Sequence, residues 1–436
     1  MGFGAFFGRH GADMLAPSPN VAVQSAEIAE RPAKGAHRQP RALQRGDSAA
    51  LPRIVGASRA DPYSPLSVSG IPHHLFDALE RRYDMVGRID ARLSVGRAAL
   101  VALATFAPSR AIWIERYFKN TRAFRWQSDA SRQQLARIDR PFDVVVQVYG
   151  LFRTLGAPYV MYVDNTHEIS VQEWPEWNPL QGRDLECWYA LERDAYQGAL
   201  HVFVTSEPIA RSVTGFYGVP ADRVSVVGAG ANVDVLPPLP DRAAREPVIL
   251  FVGREYRRKG GDVLIEAFRR VRSAFPAARL QVVGTTAAPR EPGVEVLGSV
   301  SDRGQLARLY ARASVFCLPS RFDPYPGVLA EAMSHSLPCV STRTCGIPEI
   351  VVEGETGLLV PRDDADALAA ALLRLLEDPA YRDRLGEGGR RRVERHLTWD
   401  VVVERMSGVL DRLGKDGLND ALHDADVLSG GYRWRR

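Results

Sequence analysis

The chain has 436 residues, 45% hydrophobic and 25% charged, proportions that exclude a fibrous, low-complexity or wholly disordered chain. Its 56 basic and 52 acidic side chains leave a formal net charge of +4, and with the two signs interspersed no nucleic-acid partner is expected. The length exceeds one ordinary core and suits two domains with tails.

Residues 1–50 are rich in Ala, Arg, Gln, Pro and Ser without a sustained period, and are expected to form a disordered tail or an over-long start of the reading frame. They lack the basic, apolar and cleavage-site succession of a secretory signal. The nearest approach to an apolar span, Ala98 to Pro108 between Arg97 and Arg110, falls short of the roughly 20 residues that cross a bilayer. Cys187, Cys317, Cys339 and Cys345 show no C-x-x-C spacing, which suits a reducing compartment. A cytoplasmic protein is expected. The aromatic and basic stretch Trp113 to Trp126 leaves two readings open, peripheral contact at the inner membrane face (with a lipid-linked acceptor) or a packed amphipathic helix.

From Arg53 onward short β-branched runs alternate with helix-like segments. Asp143–Tyr149, Tyr159–Val163, His201–Thr205 and Arg223–Val227 read as buried parallel strands. Three prolines in Leu236–Asp241 then mark a linker. A second series follows at Val248–Val252, Arg279–Val283, Val294–Leu297, Val315–Leu318 and Pro338–Ser341. Between its first two members Leu264, Phe268, Val271 and Phe275 share one helical face. The expected fold is α/β: two tandem Rossmann-like, doubly wound domains facing across a cleft, with ligands outside the carboxyl ends of the strands. The expected units are 51–236, 237–397, a helix over 398–414 capped by Thr398, and a loose tail over 415–436.

Two strand ends carry candidate chemistry. At the first, a buried run ends at Gly253 and a basic loop with Arg254 and Lys259 follows, a fork and a point charge fit for a diphosphate. A solvated surface loop reads equally well from these residues alone. At the second, Pro319 to Glu331 turns from strand into helix, with Pro326 expected at the first helical position. The amides of Gly327, Val328 and Leu329 would then face an anion. Asp323 and Glu331 flank this turn as hydroxyl partners, against the competing reading of a capping acid and a solvated glutamate. Asp364-Ala-Asp366 and Asp424-Ala-Asp426 imitate a D-x-D metal motif. The first reads as a helix cap and the second lies in the tail, so no metal site is expected.

These motifs together, Gly253-Arg-x4-Lys-Gly260, Asp323-x7-Glu331 and Gly346-Ile-Pro-Glu349-Ile-Val, resemble the GT-B glycosyltransferases of family 4 (glycosyl transferases group 1), a retaining group. The similarity covers most of Pro247 to Met406, extended by Gly354–Val360 and His396–Trp399, and it implies that the helix over 398–414 crosses back to the first domain. It implies a metal-independent hexosyltransferase without a cofactor, acting on a UDP- or GDP-linked sugar and a glycan, polysaccharide or lipid-linked acceptor. It further implies that Arg254 and Lys259 bind the donor diphosphate, Glu331 the ribose and Asp323 the transferred sugar. The base would pack near Gly298-Ser-Val300, and Gly70 would lie opposite the phosphates. His167 would hang over the cleft as a sugar contact. The sequence departs from the family pattern at Asp323, a shortened first acid, and at Ser336 and Cys345, where glycines are common. A non-catalytic nucleotide-sugar binder of the same fold is the alternative. An NAD enzyme is disfavoured because Gly228-Ala-Gly-Ala-Asn-Val233 lacks the third glycine of its fingerprint.

Overall fold

The computed structural model describes residues 51–65, 70–233, 235–239 and 245–413. The tails expected over 1–50 and 415–436, Asp424 and Asp426 in the latter, and the linker's end at Asp241 lie outside the described residues. Two six-stranded sheets organise the molecule. The first holds β1 (Arg53–Ser58), β2 (Asp84–Asp90), β3 (Val144–Val148), β4 (Tyr159–Val163), β5 (Val202–Val204) and β6 (Val224–Val226). All pair in parallel in the order β2-β1-β3-β4-β5-β6. The second holds β7 (Val248–Val252), β8 (Arg279–Val283), β9 (Val294–Gly298), β10 (Val315–Leu318), β11 (Cys339–Thr342) and β12 (Gly357–Val360). These pair in parallel as β12-β11-β10-β7-β8-β9.

Helices cover both sheets. The first sheet has α1 (Ile71–Glu80), α2 (Val95–Ala104), α3 (Arg110–Phe118), α4 (Thr121–Leu135), α5 (His167–Glu173), α6 (Gly182–Gln197) and α7 (Glu207–Arg211). The second has α8 (Gly261–Ala274), α9 (Arg303–Arg312), α10 (Gly327–Ser334), α11 (Ile347–Ile350), α12 (Ala365–Glu377) and α13 (Pro379–His396). Sandwiched strands must be apolar on both faces, and β3, β4, β10 and β11 are buried throughout. Gln147, the one amide in β3, is tolerated because it is satisfied. Its Nε2 donates to the carbonyls of Tyr149 and Phe152, and its Oε1 accepts from Thr154.

The last helix, α14 (Trp399–Leu410), leaves the second sheet and completes the core of the first. Trp399, Val402, Met406 and Leu410 pack with Leu75, Phe76 and Leu79 of α1. Thr398 caps it by accepting from the Val401 amide at 3.2 Å. Asp364 caps α12 in the same way through Ala367.

Three expectations change. The stretch Trp113 to Trp126 is two helices, α3 and α4, because Asn120 ends one and caps the next through the Ala123 amide. Pro326 is the N-cap of α10 rather than its first helical residue. The strands β1, β2 and β12 are not among the runs read from the sequence, since Gly56 and Gly87 interrupt the first two and β12 offers only three apolar residues after Gly357.

In each sheet one pair of neighbouring strands sends its connections in opposite directions, β1 and β3 in the first, β7 and β10 in the second. The strands part there, and a crevice opens at their carboxyl ends.

Candidate active site

The crevice of the second sheet collects both motif loops. Gly253 closes β7, and a Cβ there would lie 2.4 Å from Lys259 Cδ, so only glycine lets the lysine stem fold back over the strand end. Gly260 begins α8 at φ +70°, with Pro319 O only 1.9 Å from where its Cβ would stand. That contact locks the β7 loop to the β10 loop.

Lys259 Nζ donates to Asp323 Oδ2 at 2.7 Å, and the Arg258 guanidinium lies 3.6 Å from the same oxygen. Lys259 and Asp323, assigned separately to phosphate and sugar, are thus an ion pair, with Asp323 only 7% exposed. A paired, sheltered carboxylate tolerates a neighbouring diphosphate better than a lone one. Arg254 is exposed and has no ion-pair partner among the described residues.

Of the three amides expected to face an anion, that of Leu329 is already taken by the Pro326 carbonyl at 3.1 Å. Those of Gly327 and Val328 remain. Glu331 stands further along α10 and accepts from Tyr310 Oη at 3.4 Å. Burial pushes its pKa upward against the charges of Arg303 and Lys259. Arg303 also donates to Asn232 O at 2.9 Å and Pro65 O at 3.3 Å. The loop before Gly70 therefore touches the second domain beside Glu331. Gly70 itself starts α1 at φ +79°, while Ser69 lies outside the described residues. Val300, between β9 and α9, packs partly buried against the second core.

His167 departs from expectation. It is 4% exposed, Nε2 meets Asn178 Oδ1 at 2.8 Å, and its ring packs on Trp188 and Tyr189. Burial and the charge of Lys119 depress its pKa to about 3. It is a neutral core histidine and does not hang over the cleft. The strand-end residue in that position is Asp164, pushed up to about 7 by burial and by the charge of Asp323 across the interface.

Ser336 and Cys345 adopt φ 55° and 48°, the left-handed region in which glycine is at home. The backbone thus keeps a glycine conformation without the glycine. Sequence reasoning also missed Arg258, which lay within the quoted basic loop, and Trp177, which nothing marked. The Arg258 guanidinium sits 4.5 Å over the Trp177 ring, and Trp177 Nε1 donates to Glu255 at 3.0 Å. Together they join the two domains at the site. A separate cavity of about 370 Å³, bounded by Gly354, Thr356, Arg384, Arg391 and Arg395, shares none of these residues. Among the described residues no group of three or more His, Cys, Asp or Glu is arranged to hold a metal ion, and no helix is long and apolar enough to cross a membrane.

Two facing parallel α/β domains of six strands each give the chain the fold of GT-B glycosyltransferases. Residues 246–378 match the family described as Glycosyl transferases group 1. The chain is 31% identical over 235 residues to a D-inositol 3-phosphate glycosyltransferase of Corynebacterium glutamicum, covering 48% of this chain and 56% of that protein. It is 32% identical over 201 residues to a phosphatidyl-myo-inositol mannosyltransferase of Mycobacterium leprae, covering 43% and 53%. It thus spans a little over half the length of these curated relatives. Among solved structures, sucrose-phosphate synthase from Thermosynechococcus elongatus superposes with a TM-score of 0.62 at 22% identity, over 83% of this chain and 99% of that one.

Proposed function

We propose that the protein is a retaining, metal-independent hexosyltransferase that moves a sugar from a UDP- or GDP-linked donor to a glycan, polysaccharide or lipid-linked acceptor. The observation that carries this reading is the meeting of Lys259, Arg258, Asp323 and the free amides of Gly327 and Val328 at one switch point. Cations and aligned amides fixed in place stabilise charge as it builds on a departing diphosphate. Arg254 stands exposed beside them as the residue that closes on bound phosphate. Glu331 suits a ribose diol, since a carboxylate accepts two hydroxyls. Asp323, tied to Lys259, is a hydroxyl acceptor rather than a covalent nucleophile. The chemistry it favours is same-face attack, with a donor phosphate oxygen taking the acceptor's proton.

The acceptor belongs to the crevice of the first sheet. Beside it Leu100, Leu103, Phe106 and Ile112 are exposed on α2, α3 and their connection, between 42% and 74%. Arg97 and Arg110 border them. Apolar side chains rimmed by arginine favour peripheral contact with an anionic membrane surface. A cytoplasmic location at the inner face of the membrane goes with this reading.

The test is donor turnover by purified protein. Lys259→Ala and Glu331→Ala should each lower transfer by about 100-fold or more, with unchanged circular dichroism. Near-normal turnover in both variants would refute the assignment. Nucleotide-sugar binding without turnover in the wild type would favour a non-catalytic binder.

A further inference from the structure

The first sheet has its own switch point, between β1 and β3, and the residues just past those two strand ends are Arg59 and Tyr149. Arg59 is partly buried, and its guanidinium lies 4.2 Å over the Phe118 ring at the end of α3. Its Nε is sealed from solvent without a hydrogen-bond partner. No carboxylate among the described residues comes within ion-pair distance, because the nearby Glu115 is spent on Lys119 at 2.8 Å. A cation taken from water and left unpaired is costly.

The neighbouring Tyr149 Oη, just past the end of β3, is buried and without a partner as well. Tyr149 moreover holds φ 70°, a left-handed conformation that is strained for an aromatic residue and that gathers at functional sites. Asp164, past the end of β4, lies near enough to both sites to raise the pKa of the Tyr149 phenol and to feel the charge of Asp323.

We infer that Arg59 and Tyr149 at the β1/β3 crevice form an anion subsite for the acceptor, so the sugar is transferred to a molecule that bears a phosphate. The guanidinium supplies the charge and the phenol a donor, and Asp164, past the end of the adjoining strand β4, is available to the attacking hydroxyl. The inference rests on the glycosyltransferase reading and narrows its acceptor. The phosphate can come from a soluble sugar phosphate or from a lipid headgroup.

The test uses the full chain saturated with UDP or GDP, whichever raises its melting temperature, so that the donor cradle is filled. One arm titrates glucose 6-phosphate and myo-inositol 1-phosphate against glucose and myo-inositol by calorimetry. The other compares sedimentation with phosphatidylinositol and phosphatidylcholine vesicles. In at least one arm the phosphate-bearing probe should bind about 10- to 100-fold more tightly than its neutral counterpart, as a charge-assisted pair provides. Arg59→Gln should abolish that preference and leave nucleotide affinity within about twofold, while Arg59→Lys restores part of it. Equal binding of charged and neutral probes in both arms, or a preference that survives in Arg59→Gln, would overturn the inference. Failure of both UDP and GDP to bind would overturn the donor-site reading, and this one with it.

Discussion

Glu192 of α6 shows how one buried carboxyl group sets a pH response. It accepts from Tyr196 Oη at 3.2 Å, from Tyr217 Oη and from the His167 amide. Burial nonetheless raises its pKa from 4.5 to about 7. The folded state therefore holds this proton more tightly than the unfolded chain does. Its contribution is complete below about 4.5 and is lost as pH rises through about 7. Glu192→Gln has no proton to release. Urea midpoints of the variant should gain on the wild type across that window, and parallel curves would contradict the protonation argument. Tyr196, one turn on along the same helix, is a local partner, but Tyr217 and the His167 amide reach Glu192 only through the packing of α6, which the sequence around it does not mark. The same limit misplaced His167. Its number along the chain put it near a strand end, but Asn178, Trp188 and Tyr189 decided where the ring went.

At the scale of elements, α14 joins the two halves covalently and by packing. Its ion pairs run back to the turn after α1, Arg81 to Asp400 at 2.6 Å and Arg82 to Glu404 at 2.5 Å, and Tyr83 Oη donates to Asp411, just past α14, at 2.7 Å. Exposed pairs of this kind each contribute little. The apolar face does more, since Val402, Met406 and Leu410 are completely buried in the core of the first sheet. Met406→Ala should cost about 2–5 kcal/mol by leaving a cavity, read as a lower denaturant midpoint. A cost below about 0.5 kcal/mol would show that α14 is peripheral to that core. The amphipathic pattern of this helix was plain in the sequence, as was its Thr398 cap. That it crosses back to the first domain is implied by the family resemblance; which side chains of the first sheet its apolar face covers follows from the tertiary contacts.

At the scale of the molecule, the two domains meet around Trp177. Its indole donates to Glu255, lies under Arg258 and stands edge-on to Phe322 at 5.5 Å. Arg362 reaches Glu173 at 3.2 Å, and Glu349 accepts from the Glu207 amide at 3.0 Å. These contacts are polar and partly exposed, the kind of interface across which domains move by default. Trp177→Ala removes a cation–π contact of about 0.5–2 kcal/mol. The expected result is a larger radius of gyration in solution scattering, with nucleotide diphosphate bound up to about tenfold more weakly. Unchanged scattering and affinity would mean that Trp177 does not hold the domains together.

The sequence by itself determined nine of the twelve parallel strands, the helix caps at Thr398 and Asp364, and the loops that bring Lys259 and Asp323 to strand ends. These follow from local periodicity and from chemistry held within a dozen residues. Only the tertiary structure decided that Lys259 pairs with Asp323, that Arg303 reaches the first domain, and that Arg59 stands unpaired at the other switch point. Such facts depend on groups 64 to 238 positions apart, and a chain shows which of them meet only when its sheets have been stacked and its charges have lost their water.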